Sequence, residues 1–132
     1  MITPRLVNVS VLKVIPARTP LTAGFVIGGT TAKTVLIRAI GPSLAMFGLA
    51  DFMVDPQLGL FAGGNPIATN DNWGGEPQLA AVSGAVGAFA LSSVASRDAV
   101  LVATLPPGAY TAQVTASDGG AGTALVEVYE VP

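Results

Sequence analysis

The sequence predicts an all-β fold, an antiparallel β-sandwich or jelly roll of about eight strands with at most one short helix. Hydrophobic residues recur at every second position in most apolar segments, which is the period of a strand with one buried face. These segments are short, and Gly, Pro, Asn or Asp residues separate them. Such a pattern, with no long helical segment, is typical of sandwiches and jelly rolls.

The predicted strands continue along the whole chain. They cover residues 5–15, 24–27, 33–40, 57–62, 66–69, 98–105, 109–117 and 123–131. Glycine-containing connections, whose residues tolerate a positive φ, predict three hairpins. These hairpins join the second strand to the third, the fourth to the fifth, and the seventh to the eighth.

One segment departs from the strand pattern. In residues 77–93, Leu79, Val82, Val86 and Phe89 recur at the spacing of one helix face, which predicts a short helix or helical loop. In strand 109–117, by contrast, apolar residues alternate with Thr, Gln and Ser. One face of that strand is therefore predicted to point inward.

Composition limits the class of protein. Charged residues make up 11% of the 132 residues and hydrophobic residues 51%, whereas soluble domains average about 25% charged residues. A chain this hydrophobic is not disordered, and its 16 Gly and 10 Pro exclude a coiled coil. No repeat, linker or low-complexity tail is visible, so residues 1–132 are predicted to form a single β-sandwich domain.

Charge and hydropathy also exclude some partners. The net charge of −2, with six Lys and Arg residues, argues against binding to nucleic acid or to an anionic membrane. Every apolar stretch is interrupted before the roughly 18 residues that cross a bilayer, so no membrane insertion is predicted. The N-terminus lacks a signal-peptide pattern, which leaves a cytoplasmic protein or a mature or excised piece of an exported one. The absence of Cys fits either compartment.

Six segments lie in order over nearly the whole chain: RLVNVS at 5–10, AGFVIGG at 23–29, KTVLIRAIGPSL at 33–44, NPIATNDNWGG at 65–75, LPPGAYTAQV at 105–114 and ALVEVYEV at 124–131. Together they resemble the β-sandwich modules found, often in tandem, in large secreted and cell-surface proteins of environmental bacteria. More distantly, they resemble pre-peptidase C-terminal domains. The resemblance implies a sandwich fold and an extracellular or cell-surface location. It leaves the activity undefined, since such modules are attached to many different proteins.

The chain lacks the usual catalytic side chains. Without His or Cys, only carboxylate pairs or Ser with Lys could act as acid, base or nucleophile. GPSL at 41–44 differs from the G-x-S-x-G elbow, so Ser43 is predicted to lie in a turn and no enzymatic activity is expected. Arg38 lies in the apolar run 35–40, which predicts a partly buried side chain beside an acidic or carbonyl partner.

The densest group of polar residues is ATNDNWGGE at 68–76. Asn70, Asp71 and Asn72 carry the oxygen ligands that Ca²⁺ prefers, so one hypothesis is a calcium site centred on Asp71, and no other cofactor is predicted. The alternative, favoured because EF-hand spacing is absent, is that these side chains bond their own backbone in turns. Trp73 either binds polysaccharide by stacking or packs over the end of the sandwich.

The shortage of charge and the presence of strands with two apolar faces predict self-association. The strand at 124–131 carries Leu125, Tyr129 and Val131 on the face opposite its other apolar residues. An isolated sandwich should keep one face in water, so a second apolar face implies a cover that copies of the chain would supply. The main hypothesis is therefore a non-catalytic extracellular structural module, the repeating subunit of a surface fibre or filament. The alternative is a carbohydrate- or surface-binding accessory module.

The first strand offers a way for copies to join. Residues 5–15 exceed the usual strand length of about five or six residues. This strand either pairs within its own sandwich or fills the edge of a neighbour, with Val7, Val9 and Val11 inserted. Pairing within its own sandwich is favoured, because most chains of this type complete their sandwich with their own strands.

Overall fold

Eight strands in residues 8–132, the part of the chain that the structure describes, form two antiparallel sheets of four strands each. The structure is a computed structural model. The elements are β1 (Asn8–Ile15), β2 (Leu21–Ile27), β3 (Lys33–Ile40), a 3-10 helix (Pro42–Phe47), β4 (Pro56–Ala62), β5 (Asn65–Asn70), α1 (Pro77–Ala85), β6 (Ala99–Leu105), β7 (Gly108–Ala116) and β8 (Gly122–Val131).

The two sheets face each other across one hydrophobic core. The first sheet has the strand order β1-β8-β3-β6, and the second has the order β2-β7-β4-β5. In β7, Tyr110, Ala112 and Val114 are buried while the residues between them are partly exposed, which confirms the predicted inward face. The predicted all-β sandwich with one short helix is likewise confirmed. Its core includes Ile15, Leu21, Val35, Ile37, Leu58, Leu60, Ala112, Val114, Val126 and Val128.

Two of the three predicted hairpins are wrong. β2 pairs with β7 in the second sheet, whereas β3 lies between β8 and β6 in the first. β7 and β8 also belong to different sheets. Glycine turns allow the chain to reverse, but they do not decide which strand becomes the partner. Side chains on both faces of β3 are buried, so β3 needs an interior position in its sheet. Only β4 and β5 form the hairpin that was predicted.

The chain covers part of the outer face of the first sheet with its own helix. α1 ends at Ala85, well before the end of the predicted helical segment 77–93, and Gly87 follows with a φ of 79°. Leu36, Val100 and Tyr129 on the outer face form a second buried cluster with residues of α1 and of the segment that follows it. The chain itself thus covers Tyr129 on the face where an interface between copies was predicted, and self-association stays a prediction. No helix among the described residues is long and apolar enough to span a membrane.

β1 is an edge strand of the first sheet and pairs with β8 along its whole length. It therefore pairs within its own sandwich, which is the favoured of the two predicted arrangements. Apolar side chains on both of its faces remain open: Val9 is 44% exposed, Val11 39%, Leu12 56% and Val14 63%. Only Ile15, at the end of the strand, reaches the core.

Gly122 lies at a close approach between β8 and residues 51–53. The Thr123 N–H donates to Asp51 O at 2.9 Å, and the Met53 N–H donates to Thr123 O at 2.8 Å. These bonds hold the Met53 backbone so close that a Cβ at position 122 would lie 2.6 Å from its N and Cα atoms.

The substitution Gly122→Ala is therefore expected to lower the free energy of unfolding by about 1–3 kcal/mol, the usual cost of overpacking a rigid site. Urea unfolding followed by circular dichroism measures this change. Gly28→Ala is the control, since its Cβ would have no atom within 4 Å, and it should change stability by less than about 0.5 kcal/mol. Equal effects in the two variants would contradict the close approach.

Candidate functional site

A buried cluster of charged and aromatic side chains lies on the outer face of the first sheet. Arg38 on β3 is directly opposite Glu127 on β8 in the strand register. Its Nε donates to Glu127 Oε1 at 2.8 Å, and its Nη1 donates to the carbonyl oxygen of Phe89 at 2.8 Å. The Phe89 ring also faces the guanidinium, with its centroid 4.5 Å from Arg38 Cζ. The prediction of a partly buried arginine beside an acidic or carbonyl partner is confirmed, and the structure shows full burial and both kinds of partner.

The electrostatics of this cluster are nearly balanced. Arg38 is completely buried, and the carboxylate of Glu127 neutralises it. The Tyr129 hydroxyl donates to Glu127 Oε2 at 2.7 Å, so both carboxylate oxygens accept a hydrogen bond. One donor nitrogen is left over, because Arg38 Nη2 with its two N–H groups is buried without a hydrogen-bond partner among the described residues. Burial, helped by the bond to Glu127, raises the pKa of Tyr129 to about 12.

A second polar network is built around Asp98, which is completely buried just before β6. Its Oδ1 accepts the N–H groups of Gly41 and Ser43 at 2.8 and 3.2 Å. Its Oδ2 accepts the hydroxyls of Ser43 and Ser96 at 2.5 and 2.7 Å. The side chain of Asp98 thus ties the start of the 3-10 helix to the chain before β6. Ser43 is itself completely buried, so its hydroxyl is out of reach of a substrate and supports the fold.

Sequence analysis did not identify the Asp98 network. The signal available was an Asp that precedes an apolar strand and follows Ser92, Ser93 and Ser96. A carboxylate at such a position needs several donors if it is buried, and nearby hydroxyls are suitable donors. The distant partner, the turn at Gly41, has no sequence signal, because it comes close only through the sheet topology.

Trp73 is buried in the cluster beneath α1. Its indole N–H approaches Ser96 Oγ at 3.1 Å and Ser93 O at 3.3 Å, and its backbone N–H donates to Asp98 O at 2.9 Å. The ring packs with Leu36, Val100 and Tyr129. The indole is thus held inside the domain, whereas stacking on a polysaccharide needs an exposed ring face.

The predicted calcium ligands lie at the end of β5, and the side chains of Asn70 and Asp71 bond the protein itself. Asn70 Oδ1 accepts the Val100 N–H at 3.0 Å, and Asn70 Nδ2 donates to Asn72 O at 3.1 Å. Asp71 Oδ1 accepts the Ser117 hydroxyl at 2.7 Å. Within residues 8–132, no group of three or more His, Cys, Asp or Glu side chains is placed to hold a metal ion. Calcium binding by Asn70, Asp71 and Asn72 stays a prediction.

Asp71 does face another carboxylate. Burial of Asp55, followed by its hydrogen bond and like-charge contact with Asp71, raises the pKa of the Asp55 carboxyl above its ordinary value. Arg97, whose Nη1 lies 3.8 Å from Asp55 Oδ2, partly offsets this shift, and Asp118 adds to it. Burial and the like charge of Asp71 thus both disfavour the ionised form of Asp55.

The residues predicted to mediate self-association have different environments. Val9 and Val11 are open on β1, and Leu125 on β8, which is opposite Leu12 in the register, is partly buried. Tyr129 is buried beneath α1. Val7 lies outside the described residues. The register therefore places Val9 and Val11 on the inner face of the edge strand β1, whereas Leu125 and Tyr129 lie on the outer face of β8.

A shallow apolar groove of about 330 Å³ runs beside this edge. It lies between β1, β8 and the 3-10 helix. The Phe47 ring at its border is well exposed and makes an edge-to-face contact with Phe89 at a centroid distance of 5.0 Å. The groove is lined by Leu12, Leu44, Phe47, Leu49, Phe89, Leu125 and Glu127.

Comparison with solved structures identifies the fold. The chain is similar to the pre-peptidase C-terminal domain of a collagenase from Bacillus anthracis, with a TM-score of 0.55 and 15% sequence identity over 92% of this chain and 89% of that one. The sandwich is a pre-peptidase C-terminal-like fold. The predicted distant resemblance to such domains is therefore confirmed.

Two longer proteins give weaker similarity. One is a family GH115 4-O-methyl-α-glucuronidase with specificity for decorated arabinogalactans, at a TM-score of 0.41 and 16% identity, over 92% of this chain and 14% of that one. The other is dimeric latent PorU from Porphyromonas gingivalis, at a TM-score of 0.42 and 13% identity, over 94% and 12%. The chain thus spans a small part of either protein. No protein-family model and no curated protein matches the sequence.

The raised pKa of Tyr129 predicts a loss of stability in alkali. The folded state holds this proton more tightly than the unfolded chain, whose tyrosine titrates near 10. The associated stability is complete below pH 10 and is lost as the pH rises towards about 12. At about 1.4 kcal/mol per pKa unit, the loss should reach roughly 2–3 kcal/mol.

Urea unfolding at a series of pH values measures this loss. The variant Tyr129→Phe should be less stable at neutral pH, because Glu127 loses a donor, but it should lack the part of the alkaline decline that Tyr129 causes. Tyrosinate absorbance in the Tyr110→Phe background follows Tyr129 alone. An unchanged alkaline decline in Tyr129→Phe would show that another group is responsible.

The Asp55–Asp71 pair predicts a pH dependence of folding stability. An ion-paired carboxylate stabilises a protein as the pH rises, and this pair should do the opposite. Because the pKa of Asp55 is raised in the folded state, stability is highest in acid and falls as the pH rises through that pKa. Asp71→Asn removes the repulsion and can still accept the Ser117 hydrogen bond. It should stabilise the protein by about 1 kcal/mol at pH 7, the upper end of what a charge pair in contact with solvent contributes, and by less at pH 4.

Thermal unfolding at the two pH values tests this difference, with the exposed Asp51→Asn as control. Stabilisation that is equal at both pH values would contradict the coupling. Added Ca²⁺ tests the calcium prediction with the same variants. Binding at Asp71 would raise the melting temperature of the wild type and of Asp51→Asn, but not that of Asp71→Asn.

Proposed function

We propose that the chain is a non-catalytic extracellular module that associates with copies of itself through the edge of the first sheet formed by β1. The observation that carries this proposal is the exposure of apolar side chains on both faces of an edge strand. An edge strand presents unpaired backbone N–H and C=O groups, and such edges pair readily with another chain unless they are protected. β1 contains no Pro, and Lys13 is its one charged residue.

The geometry of β1 suits antiparallel pairing between two copies. Such a contact joins two identical surfaces around a twofold axis. Pairing centred on Val11 would extend the first sheet from four strands to eight, and it would set Lys13 of one copy opposite Val9 of the other. The apolar side chains on both faces would then pack across the junction, and the two lysines would stay apart.

A non-catalytic role is supported by the chemistry of the described residues. The hydroxyl and carboxylate that come closest, those of Ser43 and Asp98, are completely buried. The extracellular location rests on the resemblance to modules of secreted proteins, to which the likeness with the collagenase domain adds support.

We further propose that dimers of the chain join into a filament. A twofold contact closes at the dimer, so a repeating assembly needs a second surface. The apolar groove beside β1, with Phe47 61% exposed at its border, is our candidate for that surface, because contiguous exposed apolar residues often mark interaction sites.

The test is the oligomeric state. Sedimentation over a range of micromolar concentrations should show dimers or larger species of the wild type, and negative-stain microscopy would show any filaments. Val11→Lys should raise the dissociation constant at least tenfold, because it brings two cations together at the junction. Val102→Lys on β6, the opposite edge of the same sheet, is a matched control, since both valines are 39% exposed. A wild type that stays monomeric throughout, or equal effects of the two variants, would refute the proposal.

A further inference from the structure

We propose that the pocket between α1 and the outer face of the first sheet is a binding site for a small neutral molecule that carries a carbonyl or amide oxygen on a compact apolar body. This site is independent of the β1 edge and of self-association. It uses Arg38, whose remaining donor has no role in the packing described above.

The pocket has a volume of about 150 Å³ and is partly open to solvent. Its walls are mainly apolar, and the charged group among them is the guanidinium of Arg38. An engineered apolar cavity of this size in another protein is known to stay dry and to bind benzene. The volume therefore suits a ligand of about six heavy atoms. The pocket is lined by Arg38, Trp73, Ala80, Ser83, Gly84, Ala88, Ala90 and Leu91.

The site needs a hydrogen-bond acceptor because of Arg38. The residue is completely buried, and its Nε and Nη1 are occupied by Glu127 and Phe89. Nη2 is buried without a partner among residues 8–132. A buried donor of a charged group is costly to leave unpaired, so an acceptor brought by a ligand would gain from binding there. Ser83, also in the pocket wall, has a hydroxyl that can donate or accept.

Charge balance decides between a neutral ligand and an anion. Glu127 already cancels the charge of Arg38 at a distance of 2.8 Å. An anionic ligand would leave an excess negative charge in a site of low polarity, which is unfavourable. A cation would meet the guanidinium directly. A neutral carbonyl oxygen can accept from Nη2 without adding charge.

Water is the competing occupant. A single water could accept from Nη2, but it would fill a small part of the pocket and would leave the apolar walls of Ala80, Ala88 and Leu91 in contact with solvent. A ligand with a branched hydrocarbon body covers these walls at the same time as it supplies the acceptor. The ligand therefore needs both the carbonyl or amide oxygen and the compact apolar body.

The experiment compares three probes that share a branched four-carbon body and differ in charge: isobutyramide, isobutyrate and isobutylammonium. Trp73 is the one tryptophan of the chain and lines the pocket, so its fluorescence reports occupation directly. Backbone and arginine side-chain NMR spectra locate the site. Isobutyramide should give saturable shifts at Arg38, Ser83 and Ala88, with a dissociation constant at least tenfold lower than those of the two charged probes.

Variants separate binding from folding. Gly84→Leu and Ala88→Leu place bulk at the pocket wall, and a Cβ at position 84 would meet no atom within 4 Å, so the helix can accept it. Both variants should weaken isobutyramide binding at least tenfold. Ala81→Leu, on the same helix but outside the pocket lining, should leave binding unchanged.

The donor itself is tested by the double substitution Arg38→Met with Glu127→Gln, which removes both charges together and leaves neither one unpaired. Circular dichroism would establish that this variant is folded, and it should lose the preference for the amide over the charged probes. The proposal is overturned if isobutyramide gives no saturable shift, so that the pocket holds water only. It is equally overturned if the charged probes bind as well, or if neither wall variant weakens binding.

Discussion

The buried ion pair between Arg38 and Glu127 determines how the outer layer of the domain packs. A buried charge is tolerated when it is paired and hydrogen-bonded, and loss of one partner typically costs about 3–5 kcal/mol. The pair bridges neighbouring strands β3 and β8, and Tyr129 completes the shell of Glu127. Because Arg38 also needs the Phe89 carbonyl, the segment that follows α1 must lie against the sheet. The cover over the first sheet thus depends on a polar requirement as well as on apolar burial.

This requirement divides the outer face of the first sheet into two parts. Over β3, β6 and the end of β8, the helix and the Asp98 network exclude water from Leu36, Val100 and Tyr129. Towards β1, the cover ends, and Leu12 and Val14 remain open. The apolar groove lies at the boundary between these parts. The place where the intramolecular layer stops is therefore also the place where a second molecule can continue it.

Local patterns predicted the elements better than their partners. Period-two alternation identified β7 and its inner face, and helical spacing identified a helix in segment 77–93, because both signals arise from residues close in sequence. The partner of β2 is β7, a pairing that joins distant parts of the chain and has no local signal, so the hairpin with β3 was wrong. For the site, the burial of Arg38 was predictable from its apolar neighbours. Its bonds to Glu127 and Phe89, like the approach of Asp98 to Gly41, follow only from the topology.

The low charge of the chain is partly explained by the cover that α1 and the segment after it form over the first sheet. An 11% share of charged residues, together with strands that are apolar on both faces, predicted association between copies. Much of the extra apolar surface is in fact used within the chain, since Trp73 and residues of α1 cover the outer face of β3. Composition alone is therefore no measure of an interface. What remains is the edge at β1, where exposed valines and a leucine lie on a strand that has one neighbour among the described residues. An interface there would be small, and its strength would depend on backbone pairing and register more than on buried area.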